Sequence, residues 1–373
     1  MKQELSFYIK DAFFELLKAG LWGDVPDPAF FEPLGEKGWN ELYRLVKVQA
    51  VTGVCISSLE QLPPEVCPPR KLYLSWFAQA ECIRQNNVKM RNTYIGLNVR
   101  FEQAGICPVL MKGLGVASYY PVPDLRMTGD IDLYIPEKYE EAVGLVESWG
   151  YEVTYMPQHD KFQYNGFWIE LHHSLINPSV SFDVPDKTAY VADDTTRYLI
   201  PDKEANALLL LTHAAKHLYG MGVGFRHLCD WTLFLKYNDA EIDFDYVWDR
   251  IRKTRLERFV VEFTALAVDC LGLDISIAER WMNGSQEKFK KRLSEDMLSN
   301  GDCGVQEFRK REEIDSAGSL FEKVGGWFGY YGAILLRQFL FYPYWPAYVR
   351  DNLGGRVRKR LKFVLAGRPL ASK

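Results

Sequence analysis

The sequence predicts an α+β fold in which a small mixed sheet lies between two helical segments. Residues 1–104 carry helical patterns, short apolar runs typical of strands follow between residues 105 and 200, and long amphipathic patterns return after residue 201. We therefore expect an N-terminal helical region over 1–104, a sheet-containing core over 105–200 and a C-terminal helical domain over 201–373.

Individual elements are predicted from local patterns in chain order. The N-terminal region ends in a long helix from about Arg70 to Gln103, which Gly105 terminates. The core contains five strand-like runs: CPVLMK, DIDLYI, YEVTYM, KFQYN and FWIELHH. A helix, EKYEEAVGLVESWG, separates the second run from the third and has the length of a crossover connection. We expect four helices after residue 201, in KEANALLLLTHAAKHLYG, HLCDWTLFLKYN, FDYVWDRIRKT and LERFVVEFTALAVDCLG.

Composition favours a folded cytoplasmic protein. The net charge of -4 gives no global electrostatic signal for nucleic acid or for a membrane surface. The seven cysteines are scattered singly, as in a reducing compartment.

The N-terminal segment is predicted to be an amphipathic helix and not a secretory signal. The apolar segment from Trp327 to Trp345 is interrupted by Arg337 and Gln338, so it predicts a buried helix and no transmembrane span. The basic cluster RVRKRLK in the tail is interpreted as the solvent-exposed face of a helix. The alternative interpretation is a binding site for phosphate or anionic lipid.

The run DIDLYI places two aspartates on one face of a strand. Side chains alternate along a strand, so Asp130 and Asp132 point one way while Ile131 and Leu133 enter the core. Two neighbouring carboxylates resist joint ionisation unless a cation neutralises them. Glu170 lies at the corresponding position of FWIELHH and becomes a third carboxylate if the two strands are neighbours. Such a cluster can hold Mg²⁺ and support phosphoryl chemistry.

Two other interpretations of this stretch stay open. Asp130 and Asp132 could simply form the solvent face of a half-exposed strand. GLGVAS, from Gly113 to Ser118, nearly satisfies the dinucleotide-binding pattern G-x-G-x-x-G/A and precedes an acid about 20 residues on. That pattern requires its acid at the end of the second strand, whereas Asp130 and Asp132 begin the run.

The order of motifs resembles the uncharacterised nucleotidyltransferases of the polymerase-β-like superfamily. It is similar to the large bacterial branch with the pattern KG…YP…R…DIDL…ELH. The matching elements are Lys112-Gly113, Tyr120-Pro121, Arg126, Asp130-Ile131-Asp132-Leu133 and Glu170-Leu171-His172, followed by a downstream echo at His213, Lys216, His217, Leu228 and Asp230.

The resemblance implies a nucleotidyltransferase core that uses Mg²⁺ or Mn²⁺. Asp130, Asp132 and Glu170 would bind metal and catalyse transfer of a nucleoside monophosphate from an NTP, with ATP expected, to an unidentified acceptor hydroxyl. Gly113 would let the backbone approach the phosphates. Lys112 stands where the superfamily usually has a glycine, and the gap to Asp130 is longer than usual. A catalytically inactive nucleotide-binding regulator or scaffold is therefore the alternative function.

Further cationic and imidazole side chains are candidates for the same site. Arg126 is interpreted either as a phosphate clamp or as an ion-pair partner of one of the strand carboxylates. Lys216 is a candidate for reaching the triphosphate. His213 and His217 share one helix face and could ligate zinc, but HAAKH lacks the glutamate of HExxH, so packing is the predicted role.

Overall fold

Four helices precede the sheet in the computed structural model, which describes residues 7–156, 159–176, 188–192, 197–220, 222–302 and 320–349. They are α1 Phe7–Trp22, α2 Gly35–Val48, α3 Thr52–Leu59 and α4 Arg70–Gln103. The predicted bounds of the long helix agree with α4, and Gly105 follows it with a φ of 71°. The predicted basic cluster RVRKRLK lies outside the described residues.

A seven-stranded mixed sheet follows, with two helices inserted between its strands. The strands are β1 Val109–Met111, β2 Ile131–Tyr134, β3 Thr154–Tyr155, β4 His159–Tyr164, β5 Phe167–His172, β6 Thr188–Ala192 and β7 Arg197–Pro201. The inserted helices are α5 Lys112–Ala117 and α6 Tyr139–Ser148. All five predicted strands are present, whereas β6 and β7 were not predicted. The fold class, α+β with flanking helices, is confirmed.

The strand order is β3-β4-β5-β2-β1-β7-β6, which makes β5 and β2 neighbours. β2 and β5 run parallel and pair Asp132 with Glu170, as the prediction of a shared carboxylate cluster requires. β1 and β2 run antiparallel. A dinucleotide-binding βαβ unit needs parallel strands at this point, so the dinucleotide interpretation of GLGVAS is wrong.

One face of the sheet is mainly apolar, and the other face carries the acids. On the apolar face, Ile131, Leu133 and Ile169 are buried together with residues of α4 and α6 such as Leu97 and Val146. Asp132 and Glu170 alternate with these residues and therefore lie on the opposite face. The strand pattern thus positions the carboxylates while it anchors the strands.

Seven helices follow the sheet among the described residues. They are α7 Lys203–Tyr219, α8 Phe225–Asn238, α9 Phe244–Lys253, α10 Glu257–Leu271, α11 Ile275–Met282, α12 Glu287–Asn300 and α13 Leu320–Leu340. The four predicted helices correspond to α7, α8, α9 and α10. These helices share one core with the N-terminal helices; the rings of Phe13 and Phe225, for example, meet edge to face at 5.4 Å. None of the described helices has the length and apolar character needed to cross a membrane.

The prediction of a buried helix around Arg337 is wrong for one side of α13. Ile334 and Gln338 are buried, but Leu336 is 61% exposed and Phe339 77% exposed. The helix is held by its other side, because the Arg337 guanidinium donates to the Leu218 carbonyl and to the Asp296 carboxylate. The exposed side faces away from these contacts.

Candidate active site

Three carboxylates meet at the edge where β2 begins. Asp132 and Glu170 are paired across β2 and β5, and Asp130 immediately precedes β2. One oxygen from each of the three carboxylates lies within 4.8 Å of the others. The structure therefore brings together the two acids of DIDLYI and the third acid, Glu170, of FWIELHH.

Two nitrogen atoms, from Lys112 and His172, converge on one oxygen of Asp132. The Lys112 ammonium lies 2.8 Å from Asp132 Oδ1, and His172 Nε2 lies 2.8 Å from the same atom. His172 Nε2 is also 3.4 Å from Glu170 Oε2, and His159 Nε2 is 3.2 Å from Glu170 Oε1. The cluster is thus surrounded by nitrogen donors on its sheet side.

The charges of the cluster separate the pKa values of its acids. The charge of Asp132, together with burial and the charge of Glu170, raises the pKa of Asp130 to about 7. Burial alone would raise the pKa of Asp132, but Lys112 and the His172 hydrogen bond outweigh it and hold that pKa below its usual value. Glu170 behaves like Asp132: its pKa is lowered because hydrogen bonds from two histidines outweigh burial. One proton-binding carboxyl, Asp130, thus stands beside two carboxylates that stay ionised.

The pKa values of the two neighbouring bases, His172 and Lys112, are both raised. Burial would lower the pKa of His172, but its hydrogen bonds to Asp132 and Glu170 raise it. Burial likewise opposes the charge of Lys112, and the attraction of Asp132 and Asp130 raises its pKa. Lys112 therefore stays charged against Asp132.

A strained turn aims Lys112 at the acids. Lys112 and Gly113 have φ values of 47° and 24°, in the left-handed region that non-glycine residues seldom adopt. A Cβ on Gly113 would lie 3.0 Å from Thr128 Cγ2, closer than side chains normally approach. The glycine of the Lys-Gly motif is therefore required by conformation and by space.

Arg126 forms a buried ion pair with a residue of α8. Its Nε and Nη2 donate to the two oxygens of Asp230 at 2.7 and 2.6 Å, and the Tyr120 hydroxyl donates to Asp230 Oδ1 at 2.6 Å. The prediction that Arg126 pairs with one of the strand carboxylates is wrong, because its guanidinium is paired with Asp230. Arg126 still lines the cavity in front of the acids, and its role as a phosphate clamp stays a prediction.

The carboxylates open into a cavity of about 610 Å³ whose far wall is helical. Lys216 of α7 and Arg226 of α8 line that wall, together with His213 and His217. A cavity of this size is in the range used for small-molecule ligands. All seven residues predicted for the site line it: Lys112, Gly113, Arg126, Asp130, Asp132, Glu170 and Lys216.

Comparison with known proteins places the chain in a family. The model of a family described as "Uncharacterised nucleotidyltransferase" matches residues 35–272, more than half of the chain. The chain belongs to this family. No curated protein and no solved structure matches the chain. The matched range includes every residue predicted for the site.

As in nucleotidyltransferases generally, the acidic cluster of this family member is suited to a divalent cation. Its three candidate ligands are carboxylate oxygens, the donors that hard cations prefer. The raised pKa of Asp130 has the charge of Asp132 as its largest cause, and a bound dication would remove that cause. The donor set and its electrostatics therefore fit the metal.

Among the residues that line the cavity, sequence reasoning missed several, including His159, Arg226 and His227. Their local sequence contains no motif. One compositional signal existed, because the chain has only six histidines and five of them line this cavity. Only the fold shows that these histidines converge.

Proposed function

We propose that this protein transfers a nucleoside monophosphate from an NTP to an acceptor hydroxyl and releases pyrophosphate. The observation that carries the proposal is the convergence of Asp130, Asp132 and Glu170 on paired strands at the mouth of the cavity. The family assignment agrees with this chemistry. We take ATP as the nucleotide to test first and the cytoplasm as the site of action.

The three acids are proposed to be the ligands of a divalent ion, with Mg²⁺ the expected metal and Mn²⁺ the alternative. When bound, the ion would neutralise triphosphate oxygens and lower the pKa of the acceptor hydroxyl. Asp132 and Glu170 are ionised in the free protein and supply charge for this purpose. The low pKa of Glu170 favours a ligand role over a proton-accepting role. Asp130 is the strongest base of the three.

The remaining predicted residues are proposed to hold the phosphates. In the transfer, the acceptor oxygen bonds to the α-phosphorus, the bond to the bridging oxygen breaks, and pyrophosphate leaves with that oxygen. Lys216 and Arg226 face the carboxylates across the cavity, where they could balance the charge of the leaving pyrophosphate. Lys112 and Gly113 form the turn beside the acids and would lie next to the triphosphate.

The helices after residue 201 are proposed to supply acceptor specificity. We propose a division into an N-terminal helical region 1–104, a nucleotidyltransferase core 105–200 and a C-terminal helical domain 201–373. In support, the cavity wall opposite the sheet comes from residues such as Lys216, Arg226 and Ile334. An acceptor that enters the cavity would contact this wall.

A second candidate function is nucleotide binding without turnover, in a regulatory or scaffold protein. One observation favours it: the nitrogen atoms of Lys112 and His172 both lie 2.8 Å from Asp132 Oδ1, so side chains of the protein already bind a carboxylate that a metal would need. The presence of all three acids favours the enzyme, because their mutual repulsion is costly without a metal.

A transfer assay separates the two functions. NTPs labelled at the α-phosphate would be incubated with Mg²⁺ and acceptors that carry sugar, aminoglycoside, protein and RNA-end hydroxyls. We expect wild type and the control Asp245→Asn, which changes an exposed acid in the first turn of α9, to label an acceptor. Asp132→Asn should lose at least about 100-fold of that rate, as is typical when a group that stabilises developing charge is removed. Undiminished labelling by Asp132→Asn would refute the proposed metal site, and nucleotide binding without labelling would favour the second candidate.

A further inference from the structure

The cavity wall formed by α7 and α8 carries a cluster of three histidines. His213 and His217 occupy adjacent turns of α7, and His227 comes from the first turn of α8. Their ring centroids are 4.4, 5.4 and 4.6 Å apart in the three pairs. One ring nitrogen from each residue lies within 4.8 Å of the other two.

The nitrogen geometry is close to that of a metal centre. His213 Nε2 and His217 Nε2 are 3.1 Å apart. Two nitrogens bound at about 2.0–2.1 Å to a tetrahedral zinc ion lie about 3.3 Å from each other. The pair on α7 therefore needs almost no movement, and a small rotation of the His227 ring would complete the set.

Unpartnered buried nitrogens point to a missing ligand. Both ring nitrogens of His227 and Nδ1 of His217 are buried without a hydrogen-bond partner. His227 itself is only 5% exposed. Buried polar atoms are nearly always bonded, so each of these atoms calls for a partner. A metal ion bound at the Nε2 atoms of the three rings would supply a partner for His227 Nε2, but not for His217 Nδ1, which lies on the other side of its ring.

The surroundings keep the imidazoles neutral and orient one of them. Burial lowers the pKa of His227 to about 4, against the opposing pull of Asp302, and burial also lowers the pKa values of His213 and His217. Neutral imidazole is the form that binds metal. Asp302 Oδ2 lies 3.5 Å from His227 Nδ1, on the side away from a metal bound at Nε2. A carboxylate behind a ligating histidine is a frequent second partner in zinc sites.

We propose that His213, His217 and His227 bind one divalent transition-metal ion of the zinc class. All three residues line the cavity, so a fourth coordination position faces the space in front of the carboxylates. Water or an anionic oxygen of the cavity's ligand would fill that position, as in zinc sites with three protein ligands. The nitrogen donors select zinc, nickel or copper and discriminate against Mg²⁺, so this site is chemically distinct from the acidic cluster.

Zinc affinity tests the proposal directly. Metal-free full-length protein would be titrated with Zn²⁺ in competition with a chromophoric chelator. We expect one equivalent bound by wild type, with an affinity loss of at least about 100-fold for His217→Gln and for His227→Gln, because direct ligands matter more than their outer partners. Asp302→Asn should lose about 10- to 100-fold. His173→Ala, which removes an exposed histidine outside the cavity, should bind zinc as wild type does.

Two further measurements exclude trivial explanations. Circular dichroism of each metal-free variant would show whether it is folded. The visible spectrum of Co²⁺ bound to wild type needs no variant: nitrogen-rich tetrahedral coordination predicts intense bands, whereas all-oxygen octahedral coordination gives weak ones. Glu170→Gln should leave zinc affinity unchanged, because that residue belongs to the oxygen cluster and to the neighbouring His159–His172 group. A weak Co²⁺ spectrum, or zinc binding that is lost in Glu170→Gln but kept in His217→Gln, would overturn the proposal.

Discussion

At the residue scale, the central feature is that Lys112 and the proposed metal need the same carboxylate. Asp132 is 4% exposed, and its ionised form requires a positive partner. The Lys112 ammonium at 2.8 Å from Oδ1 supplies one. A metal ion at the cluster would have to share Asp132 with Lys112 or displace it. The lysine of the Lys-Gly motif is therefore placed to set metal affinity.

The substitution Lys112→Met should lower the stability of the metal-free protein and raise its affinity for Mg²⁺. Loss of the ammonium leaves Asp132 without a cationic partner at that side, so the free energy of unfolding in EDTA should fall by about 3 to 5 kcal/mol. Mg²⁺ affinity without nucleotide should rise about tenfold, since a competing positive charge has been removed. Denaturant titration and calorimetry measure the two effects. Lys253→Met, which breaks the exposed pair with Asp249, is the control and should change neither. A lower Mg²⁺ affinity in Lys112→Met would contradict the competition.

The raised pKa of Asp130 predicts how stability depends on pH. An unfolded aspartate titrates near about 3.9, and folding raises the pKa of Asp130 to about 7. This carboxyl therefore stabilises the fold fully below the unfolded pKa, and that stabilisation is lost as the pH rises through 7. His213, His217 and His227, whose pKa values are lowered, act in the opposite direction below about pH 6.5, so the Asp130 part is obtained by comparison with Asp130→Asn. The melting temperature of wild type in EDTA, relative to that of Asp130→Asn, should fall between pH 5 and pH 8, and the increase caused by Mg²⁺ should grow over the same interval.

Asp130→Asn isolates this contribution from that of His172, whose raised pKa acts in the same direction. The variant should retain only the part of the slope in EDTA that the histidines cause and should gain little from Mg²⁺. Differential scanning calorimetry at several pH values measures both. An unchanged slope in Asp130→Asn would show that Asp130 ionises normally in the folded protein.

At the element scale, local patterns predicted the acidic strands well. The alternation in DIDLYI and FWIELHH is directly visible in the structure, where Ile131 and Ile169 are buried under α4 and α6. The hairpin of β6 and β7 was missed because its strands, TAYVA and RYLIP, carry no strict alternation of apolar and polar residues. The pairing of β7 with β1 could not be predicted either, since Val109 and Leu199 are far apart in the sequence. Pairing over such distances is decided by packing and not by local preference.

The Arg126–Asp230 pair fastens the segment before β2 to α8. Both side chains are nearly inaccessible, so removing one partner leaves a buried charge. We expect Arg126→Met to lower the free energy of unfolding by about 3 to 5 kcal/mol. The double variant Arg126→Met/Asp230→Leu should lose clearly less than the sum of the single variants. A double-mutant cycle by urea denaturation measures the coupling. If Arg126→Met were as stable as wild type, the pair with Asp230 would not stabilise the fold, and the role of Arg126 would be to bind a ligand.

At the scale of the whole molecule, the site is formed by two layers, the sheet and the helical wall of α7 and α8. Motifs within the sheet predicted the acids and the Lys-Gly turn, because a metal site on adjacent strands has a local sequence pattern. On the helical wall the sequence predicted Lys216 and singled out His213 and His217, whereas Arg226 and His227, which also line the cavity, were not predicted. Their positions depend on how α7 and α8 pack against the sheet, and no local pattern encodes that packing. The partner of Arg126 was missed for the same reason.

The most direct test of the account is a calorimetric titration with a non-hydrolysable ATP analogue, with and without Mg²⁺. Wild type, Asp132→Asn and the control Asp245→Asn would be compared, with the other three nucleotide bases tested if ATP fails. The account predicts binding to wild type and Asp245→Asn that requires Mg²⁺, and loss of that binding in Asp132→Asn. Nucleotide binding that is independent of Mg²⁺, or equal in Asp132→Asn and wild type, would contradict the assignment of the carboxylate cluster as a metal site.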